Sequence, residues 1–511
     1  MKSLVIESAA TGTPESLVKK LGDLPGIVLL RSGLLDGSHA RYSMVAARPF
    51  LTFRSHGSRC EIRQEGKSAG SRVQFGSPWP ILEDLISRYE LRDQIDLPFP
   101  LGGCFGFWGY DLKNFLEPRL PRRAANDLDL PDCHLGFYDS LVVFDHGLGK
   151  TWVVSTGLAV DGTRSEARAL FASKFWRDCL ERVIPKKESD CGFRSPELHE
   201  DAWGPKKIHS TMSRAEFLDA VERAQELIRA GEIYQVNLSH RLRVDTTAAP
   251  GHIFSRLLAV SPAPFAAYLD CGDFQIASSS PELFLRLSGA HIETRPIKGT
   301  RPRSADPVRD SQLTYELQTS AKEVSELVMI TDLLRNDLGK VCEFGSIQVP
   351  EIMRLERFSH VQHLVSTVEG RLANGLSHLS ALAACFPGGS ITGAPKYRAM
   401  EIIDQLEPTA RGPYTGALGY LGFNRESQLA MIIRAALCKS GQCWFQVGAG
   451  IVADSVPAAE YEETVAKAMG FLSSLGVGAS ADWVPSEFER EDSLVFGKRI
   501  EERRTEIIDT E

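Results

Sequence analysis

The pattern of apolar and polar positions divides the chain in two. Up to about residue 180, apolar or β-branched runs at 24–32, 48–55, 141–145 and 151–155 are bounded by Gly, Pro or Asp, which predicts strands joined by turns. From 185 to 207 the sequence is polar, carries prolines and shows no sustained period. This stretch is expected to link a first region at 1–184 to a second domain at 208–478. Just beyond it Ser213 and Glu216 stand at capping-box spacing, and Phe217, Val221, Ala224 and Leu227 follow at helical intervals, so a helix opens the second domain. Strand-like and helical segments then alternate irregularly to about residue 475. Residues 479–511 read as a charged tail ending in a helix, where Lys498 to Arg504 interleaves with glutamates as a solvated face does.

Two predicted helices carry carboxylates in settings where charge matters. The segment 321–338 has helical length and stops at Gly339. Its apolar residues form two stripes, Val324, Leu327, Val328 and Leu334 on one side and Met329, Ile330 and Leu333 on another, so most of the helix is expected to be buried. Glu326 falls on the second stripe. A buried carboxylate needs a metal ion, a buried Arg or Lys, or a raised pKa, and all three remain open there. The second helix is expected to start after Pro457 with Asp454 or Ser455 as cap, placing Glu460, Glu463 and Lys467 on one face. By spacing this is a solvated i,i+4 pair worth about 0.2–0.5 kcal/mol. Two glutamates from separate helices would also suit Mg2+, which takes few carboxylates and completes its shell with water or ligand oxygens.

Composition narrows the class without naming a chemistry. The 511 residues are 43% hydrophobic and 24% charged, values that exclude a collagen-like or disordered chain. The 58 basic and 66 acidic side chains give a net charge of −8 with neither sign gathered into a block, which argues against a nucleic-acid groove. Apolar stretches such as 26–30 and 431–433 fall far short of the roughly 18 residues of a membrane span. The N-terminus reaches Glu7 after a four-residue apolar run, so no secretory signal is expected and a cytoplasmic location follows. Ten cysteines without a C-x-x-C pair fit buried thiols better than disulfides or a zinc site.

Two motifs imitate known chemistry. Gly102, Cys104 and Gly106 spell the elbow of a nucleophilic cysteine, but the only His-x-Glu pair is His291 with Glu293, in a strand-like segment of the other part, so Cys104 is expected in the core. "GGSITG" at 388–393 has P-loop spacing, yet Ala394 and Pro395 stand where Lys and Ser or Thr are required.

Eight segments in order resemble the chorismate-utilising enzymes: "IYQVNLSHRL" from Ile233, "ASSSPELFL" from Ala277, "ETRPIKGTRPR" from Glu293, "ITDLLRNDLGKV" from Ile330, "HVQHLVSTVEG" from His360, "FPGGSITGAPK" from Phe386, "IIRAAL" from Ile432 and "VGAGIVADSVPAAEYEET" from Val447. They span nearly all of residues 210–475. The segments "LPGIVLLRSG", "ARYSMVAARPF" and "LGGCFGFWGYDL" resemble the family's N-terminal region. The resemblance implies an α+β fold of two large, mostly antiparallel sheets packed together with helices on the outside. It is strongest to the branch that makes aminodeoxychorismate.

Two positions sort the reactions in that family. Water-adding members carry a Lys at the position of Gln235, which cannot serve as their base. Anthranilate-forming members carry Ala at the position of Lys298, whereas the aminodeoxychorismate-forming ones carry Lys. From the residues alone, Lys298 lies between Pro296 and Gly299 in a turn-like setting, with a surface loop lysine as the bland alternative. The resemblance implies amination of chorismate at C4 through a covalent adduct on Lys298, with Glu282 as acid for the departing hydroxyl and His363 in the catalytic group. A hydrogen-bonded core histidine is the other reading of His363. Mg2+ is implied as cofactor, held by Glu326 and Glu463 with Glu460 close by. Arg434, Lys467 and the backbone of Gly448, Ala449 and Gly450 would receive the substrate carboxylates, and Thr392 and Tyr414 would line the site.

Ammonia is implied to come from a separate glutamine amidotransferase subunit, and the product to serve 4-aminobenzoate and folate synthesis. One departure concerns regulation. Leu29, Leu30, Arg31 and Ser32 replace a Leu-Leu-Glu-Ser segment that helps related anthranilate enzymes bind tryptophan, so that response is in doubt here. The competing readings are an anthranilate synthase component and a non-catalytic amino-acid sensor on the same fold.

Overall fold

The computed structural model describes residues 2–9, 12–32, 41–64, 70–91, 97–181, 207–358, 361–476 and 489–490. The linker expected at 185–207 lies outside them except for Lys207. So does the charged tail at 479–511, with its expected final helix, except for 489–490.

Among the described residues the chain forms two large sheets, one of thirteen strands and one of twelve, with helices outside them. Neighbouring strands are antiparallel, apart from the short pairing of Ile208–Ser210 with Glu489–Arg490. This is the α+β architecture expected. Both sheets draw strands from both parts of the sequence. In the first, Val28–Arg31 lies between Tyr42–Ala46 and Phe265–Asp270. In the second, Gly103–Trp108 lies between Cys133–Tyr138 and Ala417–Gly422. Gly106 and Gly419 stand opposite each other at that second junction, with φ of 151° and 153°. A Cβ on either would collide with a neighbouring carbonyl oxygen, so only glycine lets these two strands meet. The inner faces pack through rings such as Phe107 and Phe274, whose centroids are 6.1 Å apart.

Several local expectations hold. Arg214–Arg229 is a helix whose N-cap Ser213 and Glu216 bond reciprocally, and Phe217, Val221 and Ala224 are buried. Cys104 is fully buried in its strand and its thiol is pushed up to about 12 by desolvation. No helix among the described residues is long and apolar enough to cross a membrane.

Three expectations need correction. Helix Ala321–Gly339 buries one face rather than two: Glu326, Leu327, Ile330, Leu334 and Leu338 point inward, while Val328 is exposed. A helix lying on the outside of a sheet has only one side to cover. Helix Pro457–Ser474 has Val456 as N-cap, and neither Asp454 nor Ser455 caps it. Pro457 brings no N–H needing a partner, and the Ser455 hydroxyl instead donates to Glu460 Oε1 at 2.7 Å. Lys298, expected in a turn, sits in the strand Ile297–Pro302.

Candidate active site

The site grows from one strand with a period of two. Along Gln235–Asp245, Val236, Leu238, His240 and Leu242 face helices Arg214–Arg229 and Pro457–Ser474, where His240 meets Thr464 Oγ1 at 3.0 Å. The other face presents Gln235, Asn237, Ser239 and Arg241 between the two sheets. Its neighbour Gln442–Ile451 places Gly448 opposite Ser239 and Gly450 opposite Asn237. A Cβ on Gly448 would lie 3.1 Å from the Tyr414 hydroxyl, and one on Gly450 would lie 2.5 Å from Gln235 Nε2 and 3.4 Å from Lys298 Nζ. The missing side chains let Tyr414, Gln235 and Lys298 come close to the strand that floors the site.

Lys298 enters from the second sheet. Its strand slips register against Val361–Arg371 between Lys298 and Thr300, where Gly299 has φ +71°. This bulge turns Lys298 inward, and its Nζ lies 3.3 Å from Glu326 Oε2. Of the three solutions open for Glu326, the described structure uses a part-buried lysine. His363 lies across from Thr300, with Nδ1 2.9 Å from Thr300 Oγ1 and 3.4 Å from the Gly299 carbonyl. It braces the bulge, and burial lowers its pKa to about 4, so at neutral pH the ring is uncharged.

Glu282 is buried behind Lys298. Desolvation raises its carboxyl to about 7, against the opposing pull of a hydrogen bond from Ser390 and the charge of Lys298. The loop holding Ser390 also carries Thr392, whose carbonyl accepts from Asn237 N–H at 2.8 Å.

The acidic helices bring their charges to the same place. Glu326, Glu460 and Glu463 all act electrostatically on Lys322, whose ammonium they hold above its ordinary value although burial works against it. Lys322 Nζ is 3.0 Å from Glu460 Oε1. Lys467 lies 2.7 Å from Glu463 Oε1 and donates to the Gly448 carbonyl at 2.8 Å. Burial raises the Glu463 carboxyl, but Lys467, Lys322 and Lys298 together hold it below the usual range. The i,i+4 pair read from spacing is therefore present, but on the rim of a cleft.

Arg434 and Tyr414 close the opposite side. Arg434 and Thr415 are both non-glycine residues with positive φ, 52° and 60°, conformations that persist where surroundings enforce them. Desolvation lowers the pKa of Arg434, and among the described residues it has no ion-pair partner. A part-buried guanidinium without an ion-pair partner among the described residues is suited to an anion. Tyr414 stays a neutral hydroxyl, burial pushing it up to about 12.

The sequence reading missed the support beneath this wall. Glu407 and Arg411 form an almost fully buried ion pair, with Arg411 nitrogens 2.9 and 2.6 Å from the two carboxylate oxygens. Arg411 also donates to the carbonyls of Ile391 and Asn237 at 3.0 and 2.7 Å and to Thr415 Oγ1 at 3.2 Å. It ties together the segments carrying Thr392, Asn237 and Tyr414. Lys322 and Ser390 were missed as well. The alternation of polar residues after Gln235 was the available signal for Asn237; nothing in the sequence marked Glu407 with Arg411.

Among the described residues no three carboxylate, histidine or cysteine side chains form a ready-made metal cluster. Glu326 and Glu463 nevertheless supply two hard oxygen donors from separate helices, both within electrostatic reach of Lys298, a set that fits Mg2+ drawing its remaining ligands from water and substrate.

Residues 34–473 match the family of chorismate binding enzymes, which fixes the class that this fold and cleft define. Anthranilate synthase component 1 of Thermus thermophilus is 39% identical over 91% of this chain and 95% of its own length. Aminodeoxychorismate synthase component 1 of Escherichia coli is 36% identical over 90% of this chain and 96% of its own. Among solved structures, anthranilate synthase component I from Streptococcus pneumoniae superposes with a TM-score of 0.70 at 31% identity, covering 86% of this chain and 93% of that one. The chain belongs to the anthranilate and aminodeoxychorismate synthase component I family of chorismate-binding enzymes.

Proposed function

We propose that the protein is an aminodeoxychorismate synthase component I, replacing the C4 hydroxyl of chorismate with an amino group. The observation carrying this reading is Lys298, turned by the Gly299 bulge to lie beside Gly450 at the floor of the cleft. The unprotonated Nζ bonds to ring C2 as the π electrons shift and the C4–O bond breaks, and the hydroxyl leaves as water with the proton of Glu282. Ammonia then bonds to C4, the electrons shift back, and Lys298 departs as the free amine. The surplus proton returns to Glu282. Arg434, Tyr414, Lys467 and the backbone of Gly448, Ala449 and Gly450 bind and orient the dicarboxylate, and His363 holds the Lys298 bulge in place.

Mg2+ held by Glu326 and Glu463 would neutralise the ring carboxylate. Glu326→Ala and Glu463→Ala are each expected to weaken Mg2+ binding, and both more than Glu460→Ala, since Glu460 is already committed to Ser455 and Lys322. Calorimetric titration checks this. Unchanged affinity in the first two variants would leave them as partners of lysines only.

The Cys104 thiol, sealed and protonated, offers no thiolate for releasing ammonia from glutamine. In this reading a separate glutaminase subunit supplies it. The relatives favour a second reading, because anthranilate synthase components reach 37–39% identity with this chain and the aminodeoxychorismate synthase components 36%. On that reading amination falls at C2 and pyruvate is released. The purified chain incubated with chorismate, Mg2+ and an ammonium salt separates the two: aminodeoxychorismate supports the first, anthranilate with pyruvate overturns it. Glutamine should replace ammonium only when a partner subunit is added.

A further inference from the structure

Two charges near the site stand at the unfavourable ends of their helices. Asp337 lies in the last turn of helix Ala321–Gly339, whose negative end disfavours a carboxylate, and Lys396 opens helix Lys396–Leu406, whose positive end disfavours a cation. Each is explained by the other. The Lys396 ammonium donates to Asp337 Oδ2, and Asp337 is 1% exposed, with Lys340 Nζ 2.9 Å from its other oxygen. Burial lowers the Lys396 pKa, and the Asp337 carboxylate works against that. Taking such a pair out of water is a costly way to join two helices, so its position calls for a reason beyond stability.

A further contact gives the pair its place in the site. The Lys396 ammonium also donates to the Cys385 carbonyl at 2.9 Å. Cys385 is the last residue before the segment 386–395 and Lys396 the first after it, so one ammonium closes this loop at its base and ties the base to Asp337. The loop itself is packed without slack: a Cβ on Gly388 would lie 2.9 Å from Met431 Sδ, and one on Gly389 would lie 2.5 Å from Leu333 Cδ2. Leu333 belongs to the helix that carries Asp337, and the Met431 N–H donates to the Glu282 carbonyl at 3.1 Å. Next to these contacts Ser390 donates to the Glu282 carboxylate. Of the groups that act on Glu282, Lys298 comes from another strand, whereas Ser390 depends on this loop.

We propose that Asp337 and Lys396 form a positioning clamp, which holds residues 386–395 so that Ser390 meets the Glu282 carboxylate. The inference rests on Glu282 being the acid in chorismate amination. The clamp residues are positioning residues, acting on that acid through Ser390 rather than on the substrate. The Ser390 bond favours the charged form of Glu282. A slack loop would therefore leave the carboxyl protonated to higher pH.

The test is the pH dependence of kcat for ammonium-driven turnover by the full chain. The variant is the double Asp337→Asn with Lys396→Met, which removes both charges together and so neither strands a buried ion nor changes the net charge around Glu282. Its falling limb should move to higher pH by about one unit, the size expected when a carboxylate loses one hydrogen bond. Ser390→Ala should give the same shift with the clamp intact, and all three substitutions combined should move the limb no further. A merely structural bridge would lower stability or kcat and leave the limb where it is. A limb within about 0.3 unit of wild type in the double variant, a shift that Ser390→Ala does not share, or shifts that add in the triple variant would each overturn the proposal. Failure of the double variant to fold while Ser390→Ala folds overturns it as well, because the pair is then a structural bridge. Persistence of the wild-type limb in Glu282→Gln would instead overturn the reading of Glu282 as the acid, and that one variant tells the two failures apart.

Discussion

Glu282→Gln is expected to lower kcat for chorismate amination by about 10²–10⁴, the range typical of a lost general acid. Hydroxide is a poor leaving group, so the C4 oxygen must receive a proton as its bond breaks. Glu282 is suited to give one because burial brings its pKa to about 7, where Ser390 and Lys298 only partly offset desolvation. The pH dependence has a definite sign. The acid must be protonated, so wild-type kcat should fall as pH rises through about 7. In the Gln variant that limb should vanish, since the amide does not titrate. Stopped-assay rates from pH 5.5 to 8.5 would show it. A variant within threefold of wild type, or one keeping the same limb, would assign the proton to another group.

Lys298→Ala is expected to abolish the covalent chorismate-derived adduct altogether while leaving the fold intact. The side chain lies at the floor of the cleft beside Gly450, and its loss deletes the only amine placed there by the Gly299 bulge among the described residues. Its pairing with Glu326 and its weaker electrostatic pull on Glu282 and Glu463 are lost, while the neighbouring Lys322 remains near Glu326 and Glu463. The stability cost should therefore be small beside the catalytic effect. Wild type held with chorismate and Mg2+ but without ammonium, then digested and mapped by mass spectrometry, should carry the label at Lys298. Label elsewhere, or equal label in the variant, would remove the nucleophile from this reading and strengthen the anthranilate alternative.

The sequence and the structure agree where short-range physics decides. The capping box at Ser213 and the apolar spacing after it fix a helix without reference to the rest of the chain. The burial of Glu326 could be read from its apolar neighbours, but not the identity of its partner, because Lys298 arrives from a different element. The same limit hid Lys322. It looks like a surface residue one turn before Glu326, and its value lies in the carboxylates of another helix. Asn237 was visible as an alternating polar position, yet its ties to Thr392, Arg411 and Tyr414 emerge only in the folded chain. The cap at Ser455 was misjudged for the opposite reason: a local preference yielded to a stronger bond with Glu460. Most assignments of site roles came through family resemblance, while the geometry supplies their arrangement.

The interleaving of the two sheets constrains how the chain acquires its structure during synthesis. Strand Val28–Arg31 keeps one edge bare until residues 265–270 have been made, and Gly103–Trp108 waits for residues 417–422. Both are apolar strands with unsatisfied main-chain groups, the kind of edge that recruits other strands when left open. Closure of such distant pairs also makes folding slow, since loop entropy must be overcome before the contacts form. The first part of the chain thus leaves the ribosome with two open sheet edges, the condition in which transiently exposed strands are prone to aggregate.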